Sequence, residues 1–126
     1  QKKAVRIITK SSFKAHSSPL FKKLNLLQIG DLSKLQLAVF MYKLHANQLP
    51  PSLKAYFTTN SCIHSYNTRQ ARNFHLFSLN TSHRRNSIVA SGPKLWNGLP
   101  ENTKTASSLA LFKRNLKLLL LANYTP

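Results

Sequence analysis

Acidic side chains are almost missing from this sequence. Asp31 and Glu101 are the only two, against 19 lysines and arginines in 126 residues, which leaves a formal charge of +17. Two-metal phosphoryl transfer needs several convergent carboxylates, and paired-carboxylate acid–base catalysis needs two in one place. With Asp31 placed to cap a helix and Glu101 beside a turn, neither chemistry has its residues, and no catalytic site is expected. Glycine is scarce too: Gly30, Gly92 and Gly98 cannot build a glycine-rich phosphate loop. Cys62 is alone, which rules out an internal disulfide and fits a reducing compartment. With His64, His75 and His83 it spells no usual zinc spacing, so neither metal nor other cofactor is expected; a Cys62–His64 nucleophile pair would lack an orienting acid. The longest apolar run, "LKLLLLA", falls far short of the ~20 residues of a membrane span. The opening residues do not read as a signal peptide, and the glycosylation triplets at Asn80 and Asn123 carry no weight without a secretory route. A first residue of Gln1 is read as a piece of a longer chain.

What is present is a basic protein with a core. A hydrophobic content of 42% separates it from a disordered basic tail, and the length suits one domain. The bases lie among apolar residues throughout, from Lys2, Lys3 and Arg6 onward, so they decorate a folded surface. A charge this one-sided repels itself and calls for a polyanionic partner, nucleic acid first and anionic membrane second. Membrane binding fits less well, because the bases are not confined to one amphipathic helix. Nothing in the sequence points to a small-molecule substrate.

The apolar spacing predicts a mainly α, small helical domain with a short β-hairpin or extended segment between about 60 and 98. Residues 1–59 read as helical. "KKAVRIITK" has helical spacing. Ser18–Pro19 signals the start of a helix burying Leu20, Phe21, Leu24 and Leu27. "GDLSKLQLAVFMYKLHANQLPP" carries two apolar stripes, which predicts a central helix covered on two sides, with Asp31 as its cap and Pro50–Pro51 as its end. From 60 to 100 the helical period fades into loop or hairpin: "NFHLFSLN" alternates and is expected to pair with "RRNSIVAS", while "GPKLWNGLP" combines chain breakers with an anchoring Trp96. Over 104–124 a capped amphipathic helix turns Leu109, Phe112, Leu116, Leu119 and Leu120 inward and Lys113, Arg114 and Lys117 outward.

The stretch "HSYNTRQARNFH" (64–75) is the strongest candidate grip. Arg69 and Arg72 offer planar forks for phosphate oxygens, and Tyr66 and Phe74 offer faces on which an unpaired base can stack. Asn67 and Thr68 can donate to phosphate or fix a turn. The plainer alternative puts the two rings in the core and the arginines in solvent. Arg84, Arg85 and Lys94, and on the last helix Lys113, Arg114 and Lys117, are further candidates for contact with an RNA or DNA backbone, or simply a solvated face.

Six segments, "QKKAVRII", "PLFKKLNLL", "FMYKLHANQLP", "HSYNTRQA", "GPKLWNGLP" and "FKRNLKLLLL", run in an order that resembles the C-terminal, post-palm region of non-LTR (long-interspersed-element-type) retrotransposon reverse transcriptases. The resemblance spans nearly the whole chain. It implies a single basic segment, 1–126, of a larger polyprotein that nicks target DNA and copies its RNA from the nick. The catalytic aspartates and endonuclease residues of such a parent lie outside these residues, and the cysteine-rich knuckle of some relatives is not found here. By resemblance, Tyr66, Asn67, Thr68 and Arg69 become candidate contacts and Trp96, Asn97, Leu99 and Pro100 their scaffold. The upstream polymerase domain becomes a partner, with synthesis in the cytoplasm and work in the nucleus. Two roles stay open: a non-catalytic nucleic-acid grip, or a structural module that packs on the polymerase domain without touching nucleic acid. Under the first, the arginines of 64–75 should cluster with Arg84, Arg85 or Lys94; under the second, the bases scatter and an apolar patch stays exposed.

Overall fold

The computed structural model describes residues 1–124 and is mainly helical. Its helical segments are α1 (Lys2–Ile8), α2 (Ser17–Lys23), α3 (Ile29–His45), α4 (Pro51–Lys54), α5 (Asn60–Ile63), α6 (Ser82–Arg85), α7 (Ile88–Asn97), α8 (Glu101–Lys104) and α9 (Leu109–Ala122). They divide into two compact units. The first comprises residues 1–36 with 106 onward, the second Leu37–Thr105, and the boundary falls inside α3.

In the first unit α1 packs on α2, and Val5, Phe21, Leu27, Phe112, Leu116, Leu120 and Leu121 are buried. Of the inward stripe predicted for α9, Phe112, Leu116 and Leu120 are buried and Leu109 and Leu119 half-buried, while Leu121 is buried in addition. Ser108 caps the helix, its hydroxyl accepting from Leu111 N at 3.2 Å. Two starts differ from expectation. Helix α2 begins at Ser17, so Ser18 lies inside it rather than capping it. Helix α3 begins at Ile29, which puts Asp31 in its first turn. There the carboxylate accepts from Tyr124 Oη at 2.7 Å and from Lys34 Nζ at 2.9 Å, while Tyr124 Oη itself accepts from Gln28 N at 2.8 Å. Burial works against the Asp31 charge, but the Tyr124 hydrogen bond and Lys34 outweigh it and hold the carboxyl below its ordinary value. The Tyr124 phenol is pushed up, by burial first and then by its donation to Asp31.

Helices α1, α2 and α3 end alike. Lys10, Asn25 and Asn47 take φ of 52°, 55° and 57°. In each case the next N–H reaches back six residues in all, Ser11 to Arg6 O, Leu26 to Phe21 O and Gln48 to Lys43 O, at 2.8–2.9 Å. This is the Schellman closure, which usually takes glycine. Here two asparagines and a lysine take it, and no glycine has positive φ.

The second unit buries Ala38, Val39, Met41, Tyr42 and Leu44 of α3 together with Phe74, Trp96 and Leu99. Phe40, Phe57 and Phe74 stand in a row with ring centroids 5.9 and 6.3 Å apart, and Trp96 lies 5.4 Å from the His45 ring. The expected hairpin is not formed. "RRNSIVAS" is helical, in α6 and α7, and the strand-like pairing found among the described residues is an isolated antiparallel bridge between Thr59 and Phe74. "GPKLWN" likewise continues α7 rather than breaking it. Pro93 sits inside the helix, and the N–H it lacks is the one that would serve the Val89 carbonyl; Val89 is exposed, where water can replace it. Gly92 is buried because α7 passes close to α3: Met41 Sδ lies 2.7 Å from where a Cβ on Gly92 would be.

Candidate functional site

In the second unit the loop 64–73 is closed at its base by backbone bonds. Asn60 N donates to Asn73 O (2.9 Å), Ser61 N to Ala71 O (3.0 Å) and His75 N to Thr58 O (2.7 Å), and the Asn60 amide adds a bond to Gln70 O at 3.0 Å. Asn97 then clamps the far side. Its Oδ1 accepts from Phe74 N at 3.0 Å and its Nδ2 donates to Phe74 O at 2.8 Å, so one side chain satisfies both backbone groups of a buried residue. "HSYNTRQARNF" and "GPKLWN" are therefore hydrogen-bonded to each other. Trp96 and Leu99, on either side of Asn97 in the sequence, are buried, and Pro100 is exposed.

Beyond the clamp the chain runs through 76–79 to α6 and α7 and lines a cleft of about 830 Å³. Arg84, Arg85 and Lys94 enter it, together with Tyr56, Leu76, Phe77 and Val89 and the hydroxyl-bearing Ser78 and Ser87. No carboxylate lines it. Thr81 caps α6, its hydroxyl accepting from Arg84 N at 3.4 Å, and Arg85 Nε donates to Leu79 O at 2.9 Å. That bond holds the guanidinium by one edge and leaves its terminal nitrogens for an incoming anion. Phe77 is half exposed, and its ring is held edge-to-face against His75 at 4.8 Å; His75 Nδ1 lies 3.3 Å from Asn60 Oδ1. Tyr56 is 63% exposed. The cleft thus offers three cations, Arg85 held by its bond to Leu79 O, and flat apolar faces, which can hold an anion that carries a planar ring.

The candidates from the sequence divide into three groups. Arg84, Arg85 and Lys94 come together in this cleft. Tyr66, Asn67, Thr68, Arg69 and Arg72 are exposed on the loop 64–73 and do not line it, and Phe74, the second stacking candidate, is buried, so Tyr66 and Phe74 do not form a pair. Lys113 and Arg114 are exposed and Lys117 half-buried on α9, in the other unit. Sequence reasoning passed over Tyr56 and Phe77. "NFHLFSLN" did signal that alternate residues face one way, but only the folded chain brings Tyr56 to it.

Both acids are already paired at i,i+3: Asp31 with Lys34, Glu101 with Lys104 at 3.0 Å. Every other lysine and arginine is without a carboxylate partner among the described residues. Hydrogen bonds from Thr59, its hydroxyl before its backbone, hold the exposed Cys62 thiol below its ordinary value. Among the described residues no group of three or more His, Cys, Asp or Glu is gathered as a metal site requires, and no helix is long and apolar enough to cross a membrane. No protein-family model matches the chain, and no curated protein or solved structure matches it either.

Proposed function

We propose that this chain is a non-catalytic nucleic-acid-binding segment of a non-LTR retrotransposon reverse transcriptase, which helps hold template RNA or target DNA during target-primed reverse transcription. The observation that carries it is the cleft in which Arg84, Arg85 and Lys94 meet without an acid, on a protein whose two carboxylates are both occupied by lysines. Cations so placed gain most from phosphates, because each contact releases condensed counterions. The exposed arginines 69 and 72 supply a second set of phosphate contacts on the clamped loop. The six segments quoted above support the family, and the bases without a carboxylate partner among the described residues support nucleic-acid binding independently of it. The parent's setting, cytoplasm for synthesis and nucleus for integration, belongs to the same proposal.

One observation favours the alternative, a module that packs on the upstream polymerase domain. In the first unit Ile7, Ile8, Phe13 and Ile29 are 63–80% exposed, apolar side chains that a packing partner would cover. The two roles separate in a salt series. Binding of the chain to RNA is measured by fluorescence anisotropy, for wild type, for Arg84→Gln/Arg85→Gln/Lys94→Gln and for Arg69→Ala/Arg72→Ala. The expected result is a steep fall of affinity with salt, with the slope reduced by about 2 in the triple variant and by 1–2 in the double, at ~0.7 per single-strand phosphate contact. Binding that neither variant alters would leave the packing role as the function.

A further inference from the structure

We infer that the cleft between residues 76–79, Tyr56 and α7 takes an unpaired nucleotide, and so selects single-stranded over duplex nucleic acid without regard to base identity. This rests on the nucleic-acid reading above and gives that reading its substrate form. At about 830 Å³ the cleft is in the ~300–1,000 Å³ range of sites that enclose a small organic molecule. A duplex presents phosphates on its outside and keeps its bases stacked within, so filling a concave cleft with a base costs a duplex a few kcal/mol of unstacking that a single strand does not pay. The lining matches the two halves of a nucleotide. Arg84, Arg85 and Lys94 meet the phosphate, with Arg85 already held by its bond to Leu79 O. Tyr56 and Phe77 meet the base, with Phe77 steadied by His75. These two rings are more than half exposed, which a core aromatic of this unit such as Trp96 or Phe74 is not. Selectivity among bases needs donors and acceptors matched to a base edge. The neutral polar side-chain groups of the lining are the hydroxyls of Ser78, Ser87 and Tyr56, each able to donate or accept and so a poor reader of any one base edge, whereas every base has a face on which an aromatic can stack.

The test uses the full chain and three probes of equal phosphate count: an unstructured oligouridine, the same strand with abasic sites throughout, and an RNA hairpin stem. Wild type should bind oligouridine about 10-fold more tightly than the abasic strand, the worth of one stacked base at ~1–3 kcal/mol, and more tightly than the stem. Tyr56→Leu/Phe77→Leu should lose that advantage and leave stem and abasic binding and the salt slope unchanged. Phe77→Tyr should keep it. Equal wild-type affinity for oligouridine and its abasic counterpart would overturn the inference with no variant involved, as would equal losses on all probes by a Tyr56→Leu/Phe77→Leu protein of unchanged thermal midpoint. Failure of the nucleic-acid reading itself looks different: the charge-removing triple variant then binds every probe as wild type does.

Discussion

Single residues in this chain hold positions that their type alone does not announce. Gly92 has an ordinary helical backbone, so its value is the missing side chain: a Cβ there would sit 2.7 Å from Met41 Sδ and 3.4 Å from Met41 Cγ. Met41 is fully buried and has little room to retreat. Gly92→Ala, which would stabilise an exposed helix by up to ~1 kcal/mol through propensity, is therefore expected to cost about 1–3 kcal/mol by overpacking. Urea denaturation reads the change, and Met41→Ala in the same chain should recover part of it, since neighbours that share a clash are not additive. A stabilised Gly92→Ala protein would mean that α7 and α3 do not approach so closely. Lys10 makes the opposite point. It occupies a left-handed cap where a glycine would sit with less strain, and nothing in "RIITKSS" marks that turn, because the local sequence carries neither glycine nor asparagine.

At the scale of elements, Tyr124 ties the end of α9 to the start of α3 through Gln28 N and Asp31. Its two partners respond to pH at opposite ends. Asp31 is held below its ordinary value, so its contribution is complete above the unfolded carboxylate pKa of about 4 and is lost as pH falls through the lower folded value. Tyr124 is raised, so its contribution is complete below the unfolded phenol pKa of about 10 and is lost as pH rises through the higher folded value. Tyr124→Phe should lower stability at neutral pH by about 1–3 kcal/mol, because Gln28 N–H loses its acceptor. It should also flatten the alkaline limb fully and the acid limb in part, Lys34 still pairing with Asp31. Thermal midpoints across the pH range check this; a mutant profile that coincides with wild type at every pH would show that the link contributes nothing to folding. The helical pattern of α3 and α9 was legible from their apolar stripes. The failed hairpin was not: "NFHLFSLN" alternates over a few residues and "RRNSIVAS" carries a short apolar run, and stretches that short do not distinguish strand from helix. The Thr81 cap and the seat of α7 against Met41 decided for helix.

For the whole molecule the decisive quantity is charge. With both acids already paired, the remaining bases repel one another, and the compact state bears that repulsion. Raising ionic strength from about 0.01 to 1 M shortens the screening length from ~30 to ~3 Å. The thermal midpoint is expected to rise by several degrees over that range, about 1 kcal/mol, and heparin at low salt should raise it as well by binding the folded form. Calorimetry at the two salt concentrations tests this, and a midpoint that falls with salt would mean that the two ion pairs outweigh the repulsion.

Of the two apolar stripes read on α3, Val39, Met41, Tyr42 and Leu44 are buried but Leu32 is 43% exposed. Taken alone, the sequence determined the sign and size of the charge, the lack of convergent carboxylates, the helical character and most of the inward face of α9. These follow from composition and from periods of a few residues, which every short window of chain carries. Only the tertiary structure decided which bases act together. Arg84, Arg85 and Lys94 lie close in sequence, but the aromatic faces that make their cleft more than a cationic patch include Tyr56, some thirty residues earlier. The Asn97 clamp on Phe74 likewise spans 23 residues. Such partners meet because burying Phe74, Trp96 and Met41 folds the chain back on itself, and no local period encodes where it returns.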